Sequence, residues 1–210
     1  MQENQFFVNS IKEVFMEPIV LASTSPRRQE ILKNLAIPFT VMSPSYEEPF
    51  FPELSPIETA ELHSMKKVES VIRMDLKISA PWVLGADTLI CLENRIFGKP
   101  ADRDEAANML ASFSGKTHEV ITGLSLYDAT TQYISTTHSV SKVTFMKMDA
   151  STIEKYLDTG EWQGVAGAYR IQGLASCLIT RIEGSWSGIV GLPIHELYAI
   201  LREHGYSFTI

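Results

Sequence analysis

Cysteine is scarce in this chain: there are only two, Cys91 and Cys177, each inside an apolar stretch. They read as buried thiols rather than a disulfide framework, which suits a reducing cytoplasm. No apolar run approaches the roughly 18 residues of a membrane span. The N-terminus also lacks the basic region and apolar stretch of a signal peptide. Basic residues are outnumbered, 18 against 25 acidic ones, for a net charge of −7. That argues against broad nucleic-acid binding, which needs a basic surface. Any polyanion must therefore be met by a local basic cluster against the overall field. Internal repeats, low-complexity tracts and Pro-, Gly- or Ser-rich linkers are missing as well.

What is present is an ordinary folded composition, 45% hydrophobic and 20% charged over 210 residues. That is enough for one sizeable core, or for two lobes sharing a sheet. Phe7, Ile11, Val14 and Phe15 fall on one helical face, so residues 1–17 read as an extra helix packed on a single domain over 18–210. The chain then turns on Leu21-Ala22-Ser23-Thr24-Ser25-Pro26-Arg27-Arg28. Ile19 to Leu21 reads as a buried strand, Ser25 as an N-cap and Pro26 as the first helical residue. Small residues and free backbone donors at a helix start make an anion site. Arg27 and Arg28 oppose the helix dipole there, and an incoming anion with several charges, such as a polyphosphate, accounts for them. A solvated arginine pair is the plain alternative.

Further along, Pro38 to Met42 reads as a second strand leading into a loop that carries Glu47 and Glu48. Ser55-Pro56-Ile57-Glu58 is a capping box opening a long helix to about Lys77, with Leu62, Met65, Val68, Ile72 and Leu76 inward. Lys66 and Lys67 lie near its middle, where solvated lysines are the usual case. Trp82 to Ile90 is an apolar strand interrupted by Asp87, a charge that is expensive to bury without a partner. A turn-capping aspartate, a metal ligand or a group acting on a catalytic water would each explain it. Gly98-Lys99-Pro100 closes a turn beside the same strand. Asp102 to Glu105 opens another helix, and Thr117–Tyr127 and Tyr133–Met148 read as a hairpin. His118 within it reads as a structural histidine. Ser151 and Glu154 frame a helix ending at Gly160, the glycine-bearing stretch from Gly164 to Gly188 reads as loop-rich, and a last helix spans Ile194 to Glu203. The alternation of strands and helices predicts an α/β fold with a partly mixed sheet.

In order, Leu21 to Arg28, Gly85-Ala86-Asp87-Thr88, Gly98-Lys99-Pro100, Ser114 to Gly123, Ala166 to Gly173 and Val190-Gly191-Leu192-Pro193 resemble the Maf family of nucleoside triphosphate pyrophosphatases. The resemblance implies a Maf/ITPase-like fold, a mixed twisted sheet flanked by helices with two lobes around a central cleft. It implies hydrolysis of a nucleoside triphosphate to the monophosphate and pyrophosphate, assisted by a divalent cation, Mg or Mn. By that likeness Asp87 is the general base, Ser25, Arg27, Arg28, Lys66 and Lys99 surround the phosphates, and Glu48 is a metal ligand. A homodimer is the assembly expected, without nucleic-acid or membrane partners.

Three positions divide the family by nucleobase, and Arg27, Thr88 and Gln172 match the dTTP/UTP group. A 7-methyl-GTP pyrophosphatase, with Trp, Gln and Glu there, is the alternative. A non-catalytic regulator of septum formation is another, and it predicts loss of the charged site. Departures from the family pattern are Val165 for a usual lysine, His63 and Lys67 for alanines flanking the helix lysine, and Glu47-Glu48 for Asp-Glu.

Overall fold

A computed structural model describes residues 16–74 and 80–208. The helix expected over residues 1–17 lies outside them except for Met16 and Glu17, as do Leu76 and Lys77. Strands β1 (Ile19–Leu21), β2 (Phe39–Val41), β3 (Trp82–Leu92), β4 (Arg95–Phe97), β5 (Thr117–Asp128), β6 (Tyr133–Phe145) and β7 (Ile179–Glu183) form a seven-stranded sheet. Its order is β2-β1-β3-β5-β6-β7, with β4 paired to β3. β1 runs parallel to β2 and β3, whereas the remaining pairs are antiparallel, so the sheet is mixed. Helices α1 (Pro26–Asn34), α2 (Pro56–Ile72), α3 (Arg103–Phe113), α4 (Ala150–Leu157), α5 (Trp186–Val190) and α6 (Ile194–Glu203) flank it. No described helix is long and apolar enough to cross a membrane.

Side chains alternate between the two faces of a strand, and the two faces of this sheet differ. The heavier core lies on one face, where Leu84, Ala86 and Ile90 of β3 join Leu124 and Leu126 of β5 and Phe113 of α3. The other face is covered by α2, through Ala60, Val68 and Val71. Contact there is unusually close. A Cβ on Gly85 would strike the Ser64 carbonyl oxygen, and one on Gly123 would strike that of Ala60. Only glycine permits this approach of helix backbone to strand. Ser64 and Ser125 then share a hydrogen bond of 2.7 Å between their hydroxyls.

Several expectations need correction. The buried face of α2 is Thr59, Ala60, His63, Ser64, Lys67, Val68 and Val71, while Leu62 and Met65 are only half-buried. Against two glycines the helix presents its small and polar side, because large side chains would hold it too far from the sheet. α4 is capped by Asp149, which accepts from the Thr152 amide at 2.8 Å, rather than by Ser151. Glu154 instead pairs with Arg103. The glycine-bearing stretch holds β7 and α5 rather than loop alone. Cys91 is buried as expected, but Cys177 is exposed; both are free thiols.

Candidate active site

The site follows from a gap in the sheet. β5 occupies one edge of β3 from Trp82 to Cys91. On the other edge β1 pairs with Trp82–Leu84 and β4 with Ile90–Leu92, so among the described residues no strand pairs there with residues 85–89. Asp87 and Thr88 lie in this window. β1 is parallel to β3 and β4 antiparallel to it, so both run toward the window at their C-terminal ends. The segment Ser23–Arg28 therefore leaves β1 at the window, and Gly98-Lys99 leaves β4 there. β2, parallel to β1, delivers the loop carrying Glu48 from the same side.

Asp87 is 4% exposed and points to the α2 face. Its Oδ1 accepts from Lys67 Nζ at 2.6 Å, and Oδ2 is buried with no hydrogen-bond partner among the described residues. Lys67 also meets Glu48 Oε1 at 2.6 Å, so one ammonium stands between two carboxylates. Burial raises the Glu48 carboxyl, but the charge and hydrogen bond of Lys67, with His63 and Lys99 behind it, hold it below the ordinary carboxylate range. Glu48 remains 48% exposed on the open side of the pair.

The lysine brought to Asp87 is Lys67, not Lys66. Successive helix residues are about 100° apart around the axis, so when Lys67 faces the sheet Lys66 is carried aside, where it pairs with Glu69 at 3.0 Å. A signal was present in the sequence: Ala60, Ser64, Lys67 and Val71 recur at helical spacing from the capped start. The larger Leu62 and Met65 obscured it.

Thr88, the next residue along β3, points to the opposite face and meets Arg28. Arg28 is buried and donates from Nε to the Gly191 carbonyl at 2.8 Å and from Nη1 to Ser23 Oγ at 2.9 Å. It also donates to Thr88 Oγ1 at 3.2 Å. Thr122 donates to the Gly188 carbonyl at 2.8 Å. Its single proton is thereby committed, so in the 2.9 Å contact between the two threonines Thr88 is the donor. The result is a one-way chain, Arg28 to Thr88 to Thr122 to Gly188, tying the start of α1 to α5. Burial lowers the Arg28 pKa most; Asp87 and Glu48 offset that in part, and Arg27 adds to it. Arg27 is lowered by burial and then by Arg170. Two cations held at such a cost suit an anionic ligand.

Ser25 occupies the N-cap of α1, but its side chain makes no capping bond. Lys99 is exposed, and its turn is anchored where the Gly167 amide donates to the Gly98 carbonyl at 2.9 Å. Gln172 is exposed, with no side-chain hydrogen bond among the described residues. His118 lies on the core face, its Nε2 sharing 2.8 Å with the Tyr169 hydroxyl, and burial depresses it to about 4. It is a neutral core histidine, as expected. No three His, Cys, Asp or Glu side chains among the described residues gather into a metal cage.

Comparisons with known proteins identify the family. The model of the family described as Maf-like protein matches residues 18–204. A protein of Treponema denticola named dTTP/UTP pyrophosphatase is 43% identical over 197 residues, covering 90% of this chain and 97% of its own length. One of the same name from Desulforamulus reducens is 43% identical over 190 residues, covering 90% and 98%. Another, from Aquifex aeolicus, is 41% identical over 185 residues, covering 88% and 94%. With the family model matching residues 18–204 and relatives more than 40% identical over about nine-tenths of its length, the chain belongs to the Maf family.

Proposed function

We propose that this protein is a nucleoside triphosphate pyrophosphatase that hydrolyses dTTP and UTP to the monophosphate and pyrophosphate. The observation that carries the reading is Asp87: Oδ1 is held by Lys67, while Oδ2 has no partner among the described residues. An anchored carboxylate with a free oxygen is suited to take a proton from water attacking the α-phosphorus. Arg27, Arg28, Ser25 and Lys99 supply donors and positive charge for the phosphate oxygens as charge develops on them. Lys67 fixes Asp87 and Glu48 relative to one another. The relatives named dTTP/UTP pyrophosphatase support this substrate choice over 7-methyl-GTP. A non-catalytic role would not require the charged groups to be kept and assembled.

The half-exposed Glu48 carboxylate and the buried Asp87 Oδ2, unpartnered among the described residues, are hard oxygens, and they fit Mg²⁺ or Mn²⁺. Mg²⁺ in particular binds through one or two carboxylates together with substrate phosphates. Glu48 would hold the cation, and when bound the ion neutralises phosphate charge and lowers the pKa of water. The free thiols Cys91 and Cys177 support a reducing cytoplasm as the setting. The experiment is Asp87→Asn, nearly isosteric and far less basic. Pyrophosphate release should fall about 10²–10⁴-fold while the protein stays folded. Near-normal turnover would remove Asp87 as the base.

A further inference from the structure

The loop that carries Glu48 has almost nothing of its own to hold it. Between Met42, whose amide bonds the Leu21 carbonyl, and Leu54, whose amide bonds Phe51, no described backbone amide donates to a backbone carbonyl. Residues 43–51 adopt no helix or strand. Beyond the Glu48–Lys67 pair, the loop meets α2 at His63, which is 3% exposed. Its Nδ1 shares a hydrogen bond of 2.9 Å with the Tyr46 hydroxyl, and the two rings are 5.7 Å apart. Phe51 lies 6.1 Å from the same imidazole. The two contacts flank Glu48, and His63 is one helical turn before Lys67 on the same face of α2. Phe50, by contrast, is 73% exposed and anchors nothing.

We infer that His63 is a positioning residue that clips the Tyr46–Phe51 segment to α2 and so sets where the Glu48 carboxylate stands in the site. The clip is geometric and does not itself touch substrate. Its consequence for catalysis rests on the reading of Glu48 as the cation-holding carboxylate.

Three variants test it. His63→Leu keeps an apolar filling but removes the partner of Tyr46, Tyr46→Phe removes only the hydroxyl, and His63→Asn keeps a polar atom where Nδ1 stood. Chymotryptic cleavage after the exposed Phe50, without nucleotide or metal, should speed by about five- to ten-fold in His63→Leu and Tyr46→Phe. It should return toward wild type in His63→Asn. Unchanged cleavage in both of the first two variants overturns the clip.

Mn²⁺ binding, followed by water-proton relaxation without nucleotide, should weaken by a similar factor in the same two variants. The Mn²⁺ concentration for half-maximal turnover should rise with it, more than kcat falls. In a Glu48→Gln background His63→Leu should add no further weakening, and an additive effect would overturn action through Glu48. Faster cleavage with unchanged Mn²⁺ binding would leave the clip standing and remove Glu48 as the cation ligand, so the two ideas fail separately.

Discussion

The ammonium of Lys67 stands 2.6 Å from Oδ1 of Asp87, and both side chains are almost sealed from solvent. A buried aspartate in an apolar strand thus has a protein partner before any ligand arrives. The pair depends on Gly85 and Gly123, whose missing side chains let α2 come close enough for Lys67 to reach the strand.

Removing that ammonium should be severe. Lys67→Met fills the space but leaves Asp87 buried and uncompensated, and breaking a buried pair costs about 3–5 kcal/mol. Lys67→Met combined with Asp87→Asn should recover most of the stability and none of the activity. Lys66→Ala, which loses a surface pair with Glu69, should cost less than about 1 kcal/mol. Denaturant unfolding of the variants measures this contrast, and equal losses for the two lysines would contradict the placement.

The alternation of strands and helices, the hairpin and the last helix could be read from the sequence because each rests on local periodicity and turn chemistry. Asp87 stood out for the same reason, as one charge inside an apolar run. The choice between Lys66 and Lys67 could not be made from the apolar residues. Leu62 and Met65 suggested the wrong face, and the true face was set by glycines on two distant strands. The partnership of Arg28 with Gly191 and Thr88 was hidden too, since it joins segments 163 residues apart through side chain and carbonyl. β7 escaped notice because it is a short edge strand with three exposed residues, so its pattern lacks a buried stripe.

His118 predicts a pH dependence of stability. Its pKa is depressed to about 4 in the fold by burial, against about 6.5 when unfolded. The unfolded chain therefore binds the proton first as pH falls. Stability from the neutral histidine is complete above about pH 6.5 and is lost progressively toward pH 4, by up to about 3 kcal/mol. Glu48, whose pKa is also lowered, acts in the same direction but only below the carboxylate range near pH 4.5. His118→Gln should flatten the stability profile between pH 6.5 and 5. A wild-type profile that is already flat there would contradict a buried neutral His118.

Thr88→Val tests the directed chain behind Arg28. Valine matches the shape of threonine but can neither accept from Arg28 nor donate to Thr122. Leaving buried donors and acceptors unmatched costs about 1–3 kcal/mol. The guanidinium, still held by Gly191 and Ser23, should lose one of its three anchors, and kcat/KM should fall for every accepted nucleotide by a similar factor. A change in the preference for dTTP over CTP without general loss would instead mean that the Thr88 hydroxyl touches the base.

The last prediction concerns Gln172, which the fold leaves exposed with no side-chain hydrogen bond among the described residues. Thymine and uracil present a carbonyl acceptor beside the N3–H donor, and a Gln amide answers both, accepting with its oxygen and donating with its nitrogen. Gln172→Glu keeps the acceptor and removes the donor, setting a carboxylate against a carbonyl oxygen. Sites that bind a polar edge reject a mismatched one strongly, because the groups then lack partners. The same Glu suits 7-methylguanine, whose N1–H and N2 amino group both donate and whose ring is cationic. A Trp in place of Arg27 would stack on that cation. Gln172→Glu should therefore lose dTTP and UTP hydrolysis, and adding Arg27→Trp should raise the relative rate on 7-methyl-GTP. Because Gln172 has no internal bonds to break, both variants should unfold at the wild-type denaturant concentration, which separates base reading from a structural defect. The measurement is kcat/KM for the nucleotides on the folded variants. Equal loss on every substrate, or no loss on any, would assign Gln172 to the loop rather than to the base.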